Sequence, residues 1–154
     1  MSKLHTLLAN YGDDHRDATN QTIHLVCVPA IVWSVIAVLW TIPVPGTLFQ
    51  PGAFSGAVMA AAAAWYFRQS RPLGIGIAVA FIVSGALCWW LGSVIGMRGL
   101  LFTAIGVFVV AWVGQFIGHR VEGKRPSFFT DLIYLAVGPA WTLSKLYRRL
   151  GITY

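Results

Sequence analysis

Two pairs of polar side chains stand at the ends of apolar segments that are far apart in the chain. Asn20 and His24 are four residues apart where the sequence turns apolar, and Gln115 and His119 are four apart where a later apolar segment ends. Residues at this spacing share one face of a helix. Each pair therefore predicts a polar edge at a helix end, where an imidazole could bind a transition metal.

Two further ionisable residues extend this group. Glu122 follows the second pair by one helical turn, and His15 precedes His24 by nine residues. On one unbroken helix, with about 3.6 residues per turn, His15 and His24 would point in opposite directions. The intervening sequence DDHRDATN predicts a break, with Asp17 or Thr19 as the N-cap of the next helix. Such a break would let both rings face one site.

Several imidazoles with one nearby carboxylate indicate a metal site. Imidazole nitrogen suits Fe, Zn, Mn, Cu or Ni, and histidines with an acid and open positions are typical of non-haem Fe(II) oxygenases. The predicted metal ligands are His15, His24 and His119. Glu122 is predicted to be catalytic with them, and Glu122, Asn20 or Gln115 could also act as a further ligand or hydrogen-bond to one.

The same residue types also have structural explanations. A histidine near a helix end can lie at the lipid headgroups, and we expect solvation of this kind for His5 in the polar N-terminal segment. For His24 and His119 we favour function, because ionisable residues at the edge of a bilayer are costly unless they are paired. His15 fits both explanations. Glu122 could instead pair with a neighbouring basic residue, which would contribute little to stability.

The composition predicts a membrane protein. Hydrophobic residues make up 57% of the 154 residues and charged residues 10%, whereas soluble domains have roughly 45–50% and 25%. We therefore predict an all-α integral membrane helix bundle formed by a single domain, residues 1–154. Its predicted transmembrane helices are four apolar segments, at about 23–44, 52–67, 72–95 and 99–122.

The two ends of the chain differ from these four segments. Residues 1–19 form a polar N-terminal segment that does not look like a cleaved signal peptide. Residues 128–150 contain Gly138 and Pro139 and predict a re-entrant or interfacial helical segment. Aromatic residues such as Trp141 predict an interfacial belt, and the GxxxG pair Gly114 and Gly118 predicts close helix packing.

Basic residues predict the orientation of the bundle. The net charge is +6, and with four crossings all basic residues before the last segment, except Arg98, fall on one side. These residues are Lys3, Arg16, Arg68, Arg71, Arg120, Lys124 and Arg125. Since cytoplasmic loops accumulate Lys and Arg, we expect the histidines at the cytoplasmic face, in a bacterial inner membrane. The dispersed charge favours headgroup contact over nucleic-acid binding, and Cys27 and Cys88 match no CxxC pattern.

The two polar regions together resemble a known family. YGDDHRDATNQTIHLVCVP and WVGQFIGHRVEGKRPSFFTDLIYLAVGP are similar to the 2-hydroxy fatty acid dioxygenases, which are small multi-helix membrane proteins. The residues that match the family pattern are Tyr11, His15, Asn20, His24, Pro29, Gly118, His119, Glu122 and Pro126. The resemblance spans the whole chain. Lys145 departs from it, because a Glu is expected there from fungal members.

This resemblance implies an Fe(II)- and O2-dependent α-oxidation that shortens a 2-hydroxy fatty acid by one carbon in lipid or sphingoid-base degradation, with the three predicted ligands needed for activity. A 2-hydroxy carboxylate can bind such a centre through its carboxylate and hydroxyl oxygens. Its acyl tail would lie between the helices, while Arg120, Lys124 or Arg125 attract the carboxylate. The expected partners are this acid and the bilayer, and a homo-oligomer stays open. No nicotinamide or flavin is expected.

Two alternatives have the same residues in other roles. A non-catalytic membrane transporter or scaffold could use the histidines and Glu122 to line a polar pathway. A zinc-dependent lipid hydrolase could use the same ligands to activate water. Bound iron and O2 consumption would distinguish the dioxygenase from the first alternative, and an anaerobic assay would distinguish it from the second.

Overall fold

The computed structural model describes residues 3–46, 49–123 and 128–154, which form helices and no strand. The helices are α1 (Lys3–Asp14), α2 (Ala18–Trp40), α3 (Ala53–Gln69), α4 (Arg71–Glu122) and α5 (Phe128–Arg149). The predicted all-α class is confirmed. The polar N-terminal segment is itself helical over α1, because Leu4, Leu8 and Tyr11 recur at helical spacing and are buried in a cluster with residues of α5.

The 52-residue α4 consists of two arms, residues 71–95 and 97–122, that meet at Gly96. Gly96 has a φ of 73° and a ψ of 167°, a conformation that suits glycine because it has no Cβ. Cys88 in the first arm and Ala104 in the second belong to one buried cluster with residues of α2. On a continuous helix they would be about 24 Å apart. The chain therefore reverses at Gly96.

Helix α2 packs against both arms, and its neighbours show the direction of each. Leu25 lines a groove with Gly76 of the first arm, and further along α2, Trp40 contacts the backbone at Gly85. The first arm is therefore parallel to α2. The second arm is antiparallel, because its end at Gly118 lies against Asn20 near the start of α2. As predicted, the start of α2 and the end of α4 meet at one end of the bundle.

The outer surface of the helices is strongly apolar. Two helices of the described part of the chain, α2 and α4, are long and apolar enough to cross a membrane. Large hydrophobic side chains are exposed on both arms of α4, among them Val79, Ile82, Trp89, Phe102, Val109 and Val110. The four apolar segments of the sequence overlap with α2, α3 and the two arms of α4, although α2 begins and ends earlier than the first segment predicts. Four crossings of a bilayer stay a prediction.

Candidate metal centre

A short break between α1 and α2 positions His15. Helix α1 ends at Asp14, and α2 begins at Ala18 with Asp17 as its N-cap. The Asp17 side chain accepts hydrogen bonds from the backbone N–H groups of Thr19 (2.8 Å) and the following residue (3.0 Å). The predicted break and the predicted cap are both confirmed. Because the break changes the chain direction, the His15 ring turns towards α2.

The three histidines predicted as ligands lie together at this end of the bundle. Nε2 of His15 is 3.1 Å from Nε2 of His24, and each residue is only 1% exposed. His119, from the end of α4, is half-buried beside them. One ligand atom from each of the three rings lies within 4.8 Å of the other two. The turn before α2, the start of α2 and the distant end of α4 therefore supply imidazoles to one small volume.

The hydrogen bonds of the two buried rings leave the Nε2 atom of each ring without a proton. Nδ1 of His15 donates to the carbonyl oxygen of Tyr11 (2.7 Å), and Nδ1 of His24 donates to that of Asn20 (3.0 Å). Because a carbonyl only accepts, each Nδ1 carries the proton of its neutral ring. Two Nε2 lone pairs then face each other, which is unfavourable unless a cation lies between them. In metal-bound histidines, the ring nitrogen that does not bind the metal commonly donates a hydrogen bond to a carbonyl.

Burial favours the neutral form that binds metals. Burial lowers the pKa of the His15 imidazole, and this effect outweighs the hydrogen bond to the Tyr11 carbonyl, which acts in the opposite direction. A proton shared between His15 and His24 would need one ring to be charged, so burial opposes that arrangement as well. Histidine binds metals in its neutral form. The environment is therefore suited to a metal ligand at neutral pH.

Asn20 adds an unsatisfied acceptor beside the histidines. It is fully buried, its Nδ2 donates to Oε2 of Glu122 (2.8 Å), and its Oδ1 has no hydrogen-bond partner among the residues that the structure describes. A Cβ at Gly118 would collide with this oxygen and would also lie 3.4 Å from Cε1 of His24. A buried acceptor without a partner is costly. A metal, or a ligand held by one, would satisfy it, so the donor set and its surroundings fit a bound metal.

Glu122 lies beside the histidines but braces the backbone. Its Oε1 accepts from the N–H of Arg16 (2.9 Å) and its Oε2 from the N–H of Asp17 (3.0 Å), in addition to the Asn20 amide. Among the described residues, the group that could hold a metal contains three histidines and no carboxylate. Glu122 therefore joins the end of α4 to the turn that carries His15. The contacts of Glu122 seen here are those of a positioning residue, and its predicted catalytic role stays a prediction.

Two aromatic residues close the other side of the site. Tyr11 stacks on His15 with ring centroids 4.2 Å apart and planes 10° apart. Trp141 of α5 lies 5.7 Å from the His15 ring and 5.1 Å from the Tyr11 ring, and Tyr11 and Trp141 are buried. Trp141 thus lines the site, whereas the sequence predicts it only as an interfacial aromatic. The spacing of four residues between Tyr11 and His15 on a helix could have indicated their stacking.

The remaining predicted residues are placed differently. Gln115 is buried next to His24, whereas Arg120 is exposed. Lys124 and Arg125 lie outside the described residues, as does Pro126. Sequence reasoning missed Gln21, whose amide donates to the backbone carbonyl of His15 (2.7 Å).

Replacing Glu122 tests its bracing role. We expect Glu122→Ala to weaken metal binding by roughly ten- to a hundredfold, the usual effect of losing a group that orients ligands. Glu122→Gln, which keeps one acceptor oxygen, should fall between this variant and the wild type. Metal titration of the purified protein measures both. Asp13→Ala removes an exposed carboxylate ion-paired with Arg16 and should leave the affinity unchanged; an equal loss there would contradict the role of Glu122.

Together, the fold and the site define an all-α protein with a cluster of three histidines, two of them buried, that is compatible with metal binding. The chain belongs to the family described as 2-hydroxy-palmitic acid dioxygenase Mpo1-like, whose model matches residues 1–150. This confirms the resemblance seen in the sequence. The 2-hydroxy-palmitic acid dioxygenase MPO1 of Saccharomyces cerevisiae is 26% identical over 153 residues, which cover 96% of this chain and 82% of the yeast protein. No solved structure matches the chain.

Proposed function

We propose that this protein is an iron-dependent dioxygenase that shortens 2-hydroxy fatty acids by one carbon. The observation that carries the proposal is the pair of buried Nε2 atoms, 3.1 Å apart, on His15 and His24, whose Nδ1 atoms are both engaged by carbonyls. Membership of the family and the name of the yeast relative favour the 2-hydroxy acid as substrate. The zinc hydrolase alternative explains the imidazoles equally well but not this family membership.

The overall reaction balances without another reductant. A 2-hydroxy acid, R–CH(OH)–COOH, and O2 give R–COOH, CO2 and water, with cleavage of the C1–C2 bond. Carbons C1 and C2 lose four electrons in total, and O2 accepts four. Fe(II), held by His15, His24 and His119, would supply the redox chemistry that lets O2 react with the acid.

The surrounding residues orient the ligands and exclude water. The carbonyls of Tyr11 and Asn20 fix both buried rings with Nε2 directed inward. Rings of Tyr11 and Trp141 cover the histidines, so a reactive centre would be shielded from bulk water. The free Oδ1 of Asn20 would accept a hydrogen bond from the substrate's hydroxyl group. Asn20 thereby favours a 2-hydroxy acid over an acid without the hydroxyl.

We place the protein in a bilayer with four crossings, formed by α2, α3 and the two arms of α4. The exposed hydrophobic side chains on these helices would contact lipid tails, and soluble monomers rarely expose apolar patches of this size. The basic residues around the histidine end favour the cytoplasmic face, here of a bacterial inner membrane. A long-chain acid could then reach the site directly from the membrane.

Turnover by the purified protein tests this function. After iron repletion, we expect one iron per chain, O2 consumption with 2-hydroxypalmitate, and formation of the acid one carbon shorter. Palmitate, which lacks the hydroxyl, should give no product, and turnover should stop without O2. Metal analysis, an oxygen electrode and mass spectrometry measure these results. Absence of bound metal would favour the non-catalytic alternative, and hydrolysis of a lipid ester without O2 would favour the zinc hydrolase.

A further inference from the structure

An apolar groove lies where α2 and α5 meet the first arm of α4. Its cavity has a volume of about 260 Å³. Leu25, Pro29 and Val32 of α2 line it, and its lining includes none of the three histidines. The groove is therefore separate from the candidate metal centre.

One end of this apolar groove carries positive charge. Lys145 and Arg149 line it, and the Lys145 ammonium donates to Oε1 of Gln21 and lies 4.7 Å from the centre of a ring of Trp141. Among the side chains that the structure describes, no carboxylate forms an ion pair with either residue. Burial, and then repulsion from Arg148 and Arg149, lowers the pKa of Lys145. A half-buried cation next to an apolar surface is costly without an anion.

Thr142 adds a polar group beside the two basic residues. Its Oγ1 is buried and has no hydrogen-bond partner among the described residues, and Thr142 also lines the groove. It precedes Lys145 by three residues and Arg149 by seven, so all three lie on one face of α5. The groove thus combines apolar walls with a cation and a free hydroxyl at one end. This is the complement of a molecule with a long alkyl chain and a small anionic head.

We propose that the groove binds a long-chain fatty acid, with its carboxylate at Lys145 and Arg149 and its alkyl chain along α2 and the first arm of α4. The head group would also accept a hydrogen bond from Thr142. The polar groups of the groove all come from one face of α5. They therefore suit a small head group such as a free carboxylate better than a larger phospholipid headgroup. Only the choice of a fatty acid rests on the proposed function; the groove and its charge do not.

Photolabelling of the full chain in lipid nanodiscs tests the proposal. A palmitic acid analogue with a diazirine at the end of its chain should label α2 or the first arm of α4 within the groove, as mapped by mass spectrometry. Lys145→Met should lower labelling affinity for the acid by roughly tenfold, because a charge-assisted hydrogen bond is lost. The matching long-chain alcohol, which carries no charge, should be little affected. Ala80→Phe, which fills the groove, should weaken both ligands.

Matched control variants distinguish binding in the groove from general electrostatic attraction of the acid to the basic surface. Arg148→Met removes the same charge one helical turn from Lys145, but Arg148 does not line the groove, so labelling should not change. Equal loss in Arg148→Met and Lys145→Met would overturn the proposal, as would displacement of the probe by phosphatidylglycerol as effectively as by palmitate. Groove labelling without bound iron or turnover would refute only the proposed function. Turnover without groove labelling would refute only this inference.

Discussion

The His24→Ala variant should lose stable metal binding and, with it, dioxygenase turnover. The substitution removes one of the three proposed metal ligands. It also leaves Nε2 of His15 without the Nε2 of His24, which lies next to it in the proposed metal site. Structural zinc binding contributes about 10–16 kcal/mol over all ligands, so a single ligand lost corresponds to a decrease in affinity of roughly a hundredfold or more. Metal analysis after iron repletion, together with O2 consumption, measures this effect.

Thermal unfolding distinguishes the loss of a metal ligand from the loss of the folded structure. Without metal, the His24→Ala protein should unfold close to the metal-free wild type, because the substitution also removes one of two facing lone pairs. Saturating metal should raise the Tm of the wild type, since it binds only the folded state, and should leave that of the variant unchanged. His5→Ala, outside the family pattern, should behave as wild type. Full metal occupancy in His24→Ala would disprove the three-histidine centre.

The approach of the histidines could be predicted because it depends on topology. Four successive antiparallel helical segments return the chain to the end of the bundle from which it started, so the start of α2 and the end of α4 lie at the same end. The break before α2 could also be read from the sequence, since Asp17 is a strong N-cap residue. Both inferences use local patterns and the order of elements. Neither requires knowledge of how the helices pack.

The parts that could not be predicted depend on packing between distant segments. Glu122 lies one turn from His119, which favours a ligand or catalytic role, yet its carboxylate is engaged by backbone N–H groups of the α1–α2 turn. Trp141 reaches the site only because α5 packs across α1 and α2. Helical spacing shows which residues share a face, but the partner of that face depends on the positions of other helices.

Lys145 illustrates the same limit. In the sequence it is a departure from the family pattern, and the predicted carboxylate-attracting residues are Arg120, Lys124 and Arg125. The structure exposes Arg120, while Lys145 is tied to Gln21 and lines an apolar groove. A basic residue at a helix end is usually solvated, so only the groove beside it distinguishes Lys145 from its neighbours.

The Gly118→Ala variant should lose both stability and metal affinity, although alanine favours helices. A Cβ at this position would collide with Oδ1 of Asn20, and Asn20 cannot easily move because it is fully buried and bonded to Glu122. Overpacking of this kind costs about 1–3 kcal/mol, more than the roughly 0.5–1 kcal/mol that alanine contributes in a helix. If Asn20 rotates away, Glu122 loses its amide partner and the turn carrying His15 is loosened.

Gly106→Ala is the matched control for this effect, because it lies on the same arm of α4 and a Cβ there would meet nothing within 4 Å. Its free energy of unfolding should rise by up to about 0.5–1 kcal/mol, the helix propensity gain of alanine over glycine. Its metal affinity should not change, whereas that of Gly118→Ala should fall by roughly tenfold or more, as expected when the groups orienting a ligand are displaced. Thermal unfolding and metal titration compare the two variants directly. Identical behaviour would mean that close contact between Gly118 and Asn20 does not hold the histidines in place.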